Sequence, residues 1–297
     1  MPQPVLVAGA SGQLGQVIVQ KLLAAGVPVR ALARDANKLA RLGKAGAEIA
    51  AVDLLDLPKL TDACRGVSDI IATANNNMGK GPTSPMRLDL AGYRNLCEAA
   101  RTAGARRLIY VSFRGATDDA VVDIFRLKSQ IEHAIRQSGM PFVILRPSAF
   151  TDVWVDELVA GGIRKNGVAV IFGDGNLPAN YISVNDVAEF AVRVVARPDV
   201  VNEAIDLGGP SDKTLNDVAA LLEGKFKSSG KRKHVPVLAM RVLPHFVRPF
   251  NEVTARLMTL GLYAATRSTP FPEWKQAADR FGVTPESVEE HISRMTL

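Results

Sequence analysis

Val5-Leu6-Val7-Ala8 is an unbroken apolar run with β-branched members, stopped by glycine, as expected for a strand buried on both faces. Apolar residues at 17, 18, 22 and 23 then recur at helical spacing, and Gly26 closes the segment, predicting a helix over 16–25. The alternation continues. Strands are predicted over 27–33, 47–52, 69–74, 107–112 and 142–145, and helices over 34–42, 57–64, 88–103 and 124–137. Strand alternating with helix through the first 150 residues predicts an α/β fold with a doubly wound parallel sheet, Rossmann-like, because right-handed crossovers put helices on both faces. After Pro147 the rhythm loosens. A strand over 169–172, a helix over 183–196 with Ser183 and Asp186 spaced as a capping box, and a strand over 204–207 that returns to the sheet are predicted. A basic loop leading into an apolar piece is read over 225–240. Helices follow over 242–265, broken up by Pro244 and Pro249, and over 272–280. The expected division is a core over 1–150 and a mixed part over 151–297 that completes the sheet and forms a smaller C-terminal lobe.

The first strand runs into Gly9-Ala10-Ser11-Gly12-Gln13-Leu14-Gly15, which opens the first helix. In a GxxGxxG turn between strand and helix, the first glycine permits the tight turn. The second lets backbone approach a pyrophosphate, and the third lets the helix pack on the strand. The helix N-terminus adds N–H donors and the positive end of a dipole. Gly9, Ser11, Gly12, Gln13, Leu14 and Gly15 are therefore expected to bind the phosphates of a dinucleotide. At the end of the second strand an acidic residue would hold a ribose 2′-hydroxyl and an arginine a 2′-phosphate. Arg34 stands there, with Lys38 or Arg30 as a second cation, and favours NADP(H). Asp35 follows it, as an N-cap in one reading and as an NAD-selecting carboxylate in the other.

Composition narrows the classes. Lys and Arg exceed Asp and Glu by 36 to 30, a mild excess that suits an anionic ligand. Aromatics at 6% argue against stacking platforms for single-stranded nucleic acid. Cys64 and Cys97 form no CxxC pair and the four histidines are scattered, so neither a metal site nor a disulfide framework is suggested. The uncharged first twenty residues contain three glycines and no Lys or Arg, which does not suit a signal peptide. No window approaches a membrane span, and a cytoplasmic location is expected. Lys225, Lys227, Lys231, Arg232 and Lys233 are close enough together to touch nucleic acid or an anionic membrane. Lacking interleaved aromatics, they read first as a solvated loop, and no nucleic-acid partner is expected.

The segments GASGQLG, VRALARD, RLIYVS, SGMPFVILRPSAF and YISVNDVA, with Asp53 after the third strand, resemble the NmrA-like branch of the atypical short-chain dehydrogenase/reductase superfamily. The resemblance is strong over residues 4 to 150 and continues weakly to about 210. It implies that Asp53 and Leu54 border the adenine and that Ala74 and Asn75 line the cofactor trough. It implies further that Ser112 lies near the nicotinamide, that Lys128 reaches the nicotinamide ribose, and that Pro147, Ser148 and Phe150 close over the ring. Each residue also has a plain structural reading: Asp53 as a turn cap, Phe150 as core, and Lys128 as a surface partner of Glu132.

The superfamily's usual acid is a tyrosine four residues before the lysine. Here that position is Ile124, and no tyrosine occurs between Tyr110 and Tyr181. Two function classes follow. The first is an NADPH-dependent oxidoreductase that passes hydride to a small carbonyl, enone or quinone, with Lys128 and Ser112 as catalytic candidates. The second is a non-catalytic NADP(H)-binding redox sensor, regulator or assembly factor. A homodimer or a protein partner is compatible with either. Ser112 lacks a GxSxG elbow, which excludes a hydrolase reading.

Overall fold

A computed structural model describes residues 2–76, 79–228 and 230–296. In chain order the elements begin β1 (Val5–Ala8), α1 (Gln13–Ala24), β2 (Val29–Ala33), α2 (Ala40–Lys44), β3 (Glu48–Ala51), α3 (Leu57–Cys64), β4 (Asp69–Ala72) and α4 (Pro85–Thr102). Next come β5 (Arg107–Val111), α5 (Asp123–Gln137), β6 (Phe142–Pro147), β7 (Ala149–Phe150), a π-helical segment (Asp152–Ala160), α6 (Gly161–Asn166), β8 (Val168–Phe172) and β9 (Ala179–Ile182). The chain ends with α7 (Val184–Val195), β10 (Glu203–Leu207), β11 (Asp212–Lys213), α8 (Leu215–Phe226), β12 (Lys231–Val235), α9 (Val237–Val247), α10 (Glu252–Thr266), α11 (Trp274–Phe281) and α12 (Val288–Arg294). These elements group into two compact units. One comprises Met1–Ala120, Ile124–Arg146 and Val187–Ile205, and the other Val121–Asp123, Pro147–Asp186 and Asp206–Leu297.

The first unit is built on a seven-stranded sheet in the order β10-β6-β5-β4-β1-β2-β3. The pairs β1–β2, β1–β4, β2–β3, β4–β5 and β5–β6 are all parallel. The doubly wound expectation is met, and strand order reverses between β1 and β4, where such sheets open a crevice at their C-terminal ends. All four residues of β1 are at most 1% exposed, as an apolar run with no polar alternation requires. The core continues through Leu60, Ile70, Tyr93, Leu96, Tyr110 and Ile131. Arg107, fully buried at the start of β5, pairs with Asp69 and donates to the carbonyls of Val194, Arg197 and Val200. It thereby adds a side-chain donor to the turn that ends α7, where the Val194 and Arg197 carbonyls also accept from Arg197 N and Val200 N.

The second unit holds a three-stranded sheet, β11-β9-β7, and a parallel pair, β12-β8. Its core gathers Trp154, Val155, Ile171, Tyr181, Leu222 and Ile292. The sequence pattern misses much of this unit. The segment 225–240, expected as a basic loop leading into an apolar piece, contains the end of α8, all of β12 and the start of α9. Lys231-Arg232-Lys233-His234-Val235 forms a strand with no buried residue, so no apolar alternation announces it. Ser229, within the same segment, lies outside the described residues. Pro244 does not break its helix but sits inside α9, and the break falls at Pro249. Among the described residues no helix is long and apolar enough to cross a membrane.

Candidate functional site

The turn after β1 is built as the glycine spacing demands at two positions. Gly9 has φ +88°, and a Cβ there would stand 2.6 Å from Ala74 N. A Cβ on Gly15 would meet Gly9 O at 2.2 Å, so only glycine lets α1 lie against the turn. Gly12 is different: its Cβ would stand 3.4 Å from Gly9 O, an ordinary contact, and its exposed face borders a trough. The first bond within α1 runs from Gln16 N to Gly12 O, and among the described residues no side chain caps Gly12. Gln13, Leu14 and Gly15 therefore supply the donor end of the helix without themselves lining the trough.

The trough has a volume of about 240 Å³ and runs along the C-terminal ends of β1, β2 and β4. Gly9, Ser11 and Gly12 form one wall, with Arg34 and Lys38 at the end of β2, Asp53 and Leu54 after β3, and Ala74 and Asn75 after β4. Among the described residues Arg34 and Lys38 make no ion pair, so both cations are available to an anionic ligand. Arg30 is not: it pairs with Glu48 and donates to the carbonyls of Ala63 and Arg65. Asp35 accepts from Asn37 N at 2.9 Å and caps the 3-10 turn Ala36–Leu39. Asp53 accepts from Leu55 N at 2.9 Å, so the turn-cap reading holds while its side chain still borders the trough.

The opposite wall carries residues that sequence reasoning missed. Tyr93 donates to Ala74 O at 2.7 Å and fixes the loop after β4, and Asp89 accepts from Asn76 N at 3.2 Å. Both line the trough from α4. Their polar spacing of one helical turn on a largely buried face was the available signal.

Lys128 does not line the trough. Its Nζ donates to Val111 O at 3.2 Å and stands 5.3 Å from the Tyr110 ring centre, and Tyr110 packs edge-on against Tyr93. Burial lowers the Lys128 pKa to about 8 against the opposing pull of the Asp89 and Glu132 charges. The alternative reading of Lys128 as a surface partner of Glu132 is not met: Glu132 takes its hydrogen bonds from Ser112, Arg136 and Arg146. Ser112 is 2% exposed and its hydroxyl is committed to Glu132 at 2.6 Å. It does not line the trough. Pro147, Ser148 and Phe150 fall in the second unit. Pro147 closes β6, the Ser148 hydroxyl donates to Asn180 Oδ1 at 2.8 Å, and Phe150 pairs in register with Ile182. Asn180, which the sequence did not single out, also donates to Gly209 O and Asp212 Oδ1 and so organises that unit's loops.

A glycine cradle, a helix donor end and the two cations Arg34 and Lys38 at the strand end together fit a dinucleotide that carries a further phosphate. The comparisons with known proteins point to the same class of cofactor. The chain is 29% identical over 219 residues to an NAD(P)H azoreductase of Xenophilus azovorans, covering 73% of this chain and 72% of that protein. It is 26% identical over 295 residues to the photosystem II assembly factor Ycf39 of Guillardia theta, covering 98% of this chain and 92% of that one. Among solved structures, an NADPH-dependent quinone oxidoreductase of Escherichia coli shares the fold with a TM-score of 0.80 at 22% identity, covering 97% of this chain and 98% of that one. A family model described as NAD(P)H-binding matches residues 9–198, and this chain belongs to that family.

Proposed function

We propose that this protein is an NADPH-dependent reductase of the cytoplasm, in the NmrA-like branch of the atypical short-chain dehydrogenases, acting on a small carbonyl, enone or quinone acceptor. The observation that carries the reading is that Arg34 and Lys38, which make no ion pair among the described residues, share one trough with the Gly9–Gly12 cradle. Arg34 and Lys38 hold the 2′-phosphate, the α1 donor end holds the pyrophosphate, and Asp53 and Leu54 border the adenine. When bound, NADPH supplies the hydride. Lys128 orients the nicotinamide ribose and holds a proton at Nζ, in the place of the tyrosine acid that Ile124 replaces. With a pKa of about 8, Nζ is largely protonated at neutral pH and is matched to proton donation there. The azoreductase relative supports a reductase in particular.

A second reading is a non-catalytic NADP(H)-dependent regulator or assembly factor. Ile124 at the acid position and the long match to an assembly factor favour it. Titration of the purified protein with NADPH and NADH, followed by a panel of quinones, enones and azo dyes, separates the two. Acceptor-dependent oxidation of NADPH that Lys128→Ala lowers beyond its effect on cofactor affinity supports the reductase. Tight NADPH binding with no turnover across the panel supports the regulator. Preference for NADH would overturn the Arg34 assignment.

A further inference from the structure

The second unit displays a surface that the proposed cofactor chemistry does not use. Leu238, Phe246 and Phe250 are 71%, 69% and 91% exposed, and Val242, Leu243 and Leu257 are each 42% exposed. On α9 the residues Leu238, Val242 and Phe246 recur every four positions and so share one outward face, which Phe250 continues past the helix end. Met240 and Pro244, buried, occupy the inner face. The helix is amphipathic, yet an apolar stripe faces solvent.

Charge defines what such a stripe suits. From residue 224 to 251 the chain carries seven Lys or Arg and no Asp or Glu. Arg232 pairs with Glu223, and Arg248 with Asp123. Lys231, Lys233 and Arg241 are exposed and, among the described residues, make no ion pair. Lys233 precedes Leu238 by five residues, and Arg241 lies on α9 itself. Cations beside an outward apolar stripe are the pattern of a helix lying in a membrane interface, where apolar side chains enter the acyl boundary and cations meet anionic headgroups. A nucleic acid would engage the cations and leave the stripe in water. A symmetric second copy would set a basic patch against its own image.

We propose that the outer face of α9, with its flanking cations, docks this protein on the surface of an anionic phospholipid bilayer. The association is peripheral. Each Lys or Arg near an anionic surface strengthens binding about fivefold, so Lys231, Lys233 and Arg241 together account for about a hundredfold.

The test is flotation of the full-length protein with unilamellar vesicles of phosphatidylcholine alone or mixed equally with phosphatidylglycerol, at about 0.1 M and 0.5 M NaCl. The expected result is flotation with the anionic vesicles, at least tenfold weaker with phosphatidylcholine alone and weakened by the higher salt. Phe246→Ser combined with Phe250→Ser, and separately Leu238→Ser, should each weaken it severalfold or more. Lys231→Ser, Lys233→Ser and Arg241→Ser combined should weaken it about a hundredfold. Unchanged NADPH affinity shows that the variants fold. Absence of flotation with anionic vesicles overturns the proposal, as does undiminished flotation of the folded serine variants. Loss of self-association in those variants, without vesicle binding in the parent, assigns the face to a second copy. Salt-sensitive binding to duplex DNA without vesicle binding assigns the cations to nucleic acid.

Discussion

The Ser112 hydroxyl donates to Glu132 Oε1 at 2.6 Å, and that bond ties the end of β5 to the middle of α5. Glu132 is 1% exposed and is also held by Arg136 and Arg146. Burial raises its pKa, but the hydrogen bonds from Arg146, Ser112 and Arg136 outweigh that and leave it below the ordinary 4.5. Glu132→Ala, which strands two guanidinium groups and a buried hydroxyl, is expected to cost about 3 kcal/mol in urea unfolding with m unchanged. Because the folded pKa is depressed, the carboxylate's contribution is complete above pH 4.5 and is lost as pH falls through the lower folded value. The parent should therefore lose more stability than Glu132→Gln on acidification below pH 4.5.

His291 gives the opposite slope. Its Nε2 lies 2.9 Å from Asp156 Oδ1 and its Nδ1 lies 3.0 Å from Glu286 Oε1. Burial disfavours the imidazolium, but the Asp156 hydrogen bond and the charges of Asp156, Asp152 and Asp186 outweigh it and hold the pKa above 6.5. A raised folded pKa contributes stability that is complete below 6.5 and is lost as pH rises through the folded value. Thermal melts between about pH 6 and 9 should show Tm falling with pH in the parent and a flatter profile in His291→Gln. At the acid end the variant should be less stable by about 1–2 kcal/mol.

The two glycines of the turn should separate folding from binding. Gly15→Ala drives a methyl group against backbone at 2.2 Å and is expected to destabilise the protein by about 3 kcal/mol, read as a fall in Tm. Gly12→Ala places its methyl in ordinary contact and should leave Tm nearly unchanged while weakening NADPH binding about tenfold, as measured by fluorescence titration.

Arg34→Ala removes a charge-assisted contact to a 2′-phosphate that NADH lacks. NADPH affinity is expected to fall about 10–100-fold and NADH affinity less than about threefold. Lys38→Ala should show the same selectivity at smaller size. Equal losses for both cofactors would show that these cations meet the pyrophosphate instead.

If Lys128 holds the transferred proton, acceptor reduction should decline as pH rises through about 8, with the bound NADPH fraction unchanged. Lys128→Met is expected to lower kcat by about 10²–10⁴-fold and to abolish that pH break. A break that persists in the variant would place the titrating group elsewhere.

The first unit was legible because its signals are local. A four-residue apolar run stopped by Gly9 needs no partner to be read as a buried strand, and a turn whose Gly9 and Gly15 admit no Cβ leaves those glycines in the sequence. Arg34 and Lys38 were legible for the same reason: their position follows from where β2 ends. Asp89 and Tyr93 were not, because what sets them on the trough is how α4 folds back over the loop after β4, where Asp89 meets Asn76 N and Tyr93 meets Ala74 O. The bond of Ser112 was hidden for a related reason. The end of β5 fixes where its backbone lies, but only the folded core shows that its hydroxyl is taken by Glu132. The second unit hid behind short or polar elements such as β12, whose pairing with β8 carries no apolar signature.

The placement of β10 beside β6 has a consequence for synthesis. About 55 residues separate the two strands, which at a ribosomal pace of about 5–20 residues per second leaves the flank of β6 bare for roughly 3–11 s. During that interval the nascent chain presents an unpaired strand margin, and residues of the second unit emerge before the first unit's sheet can close. A stall or truncation between 147 and 203 would release a product whose nucleotide turn is complete but whose sheet still has an open side.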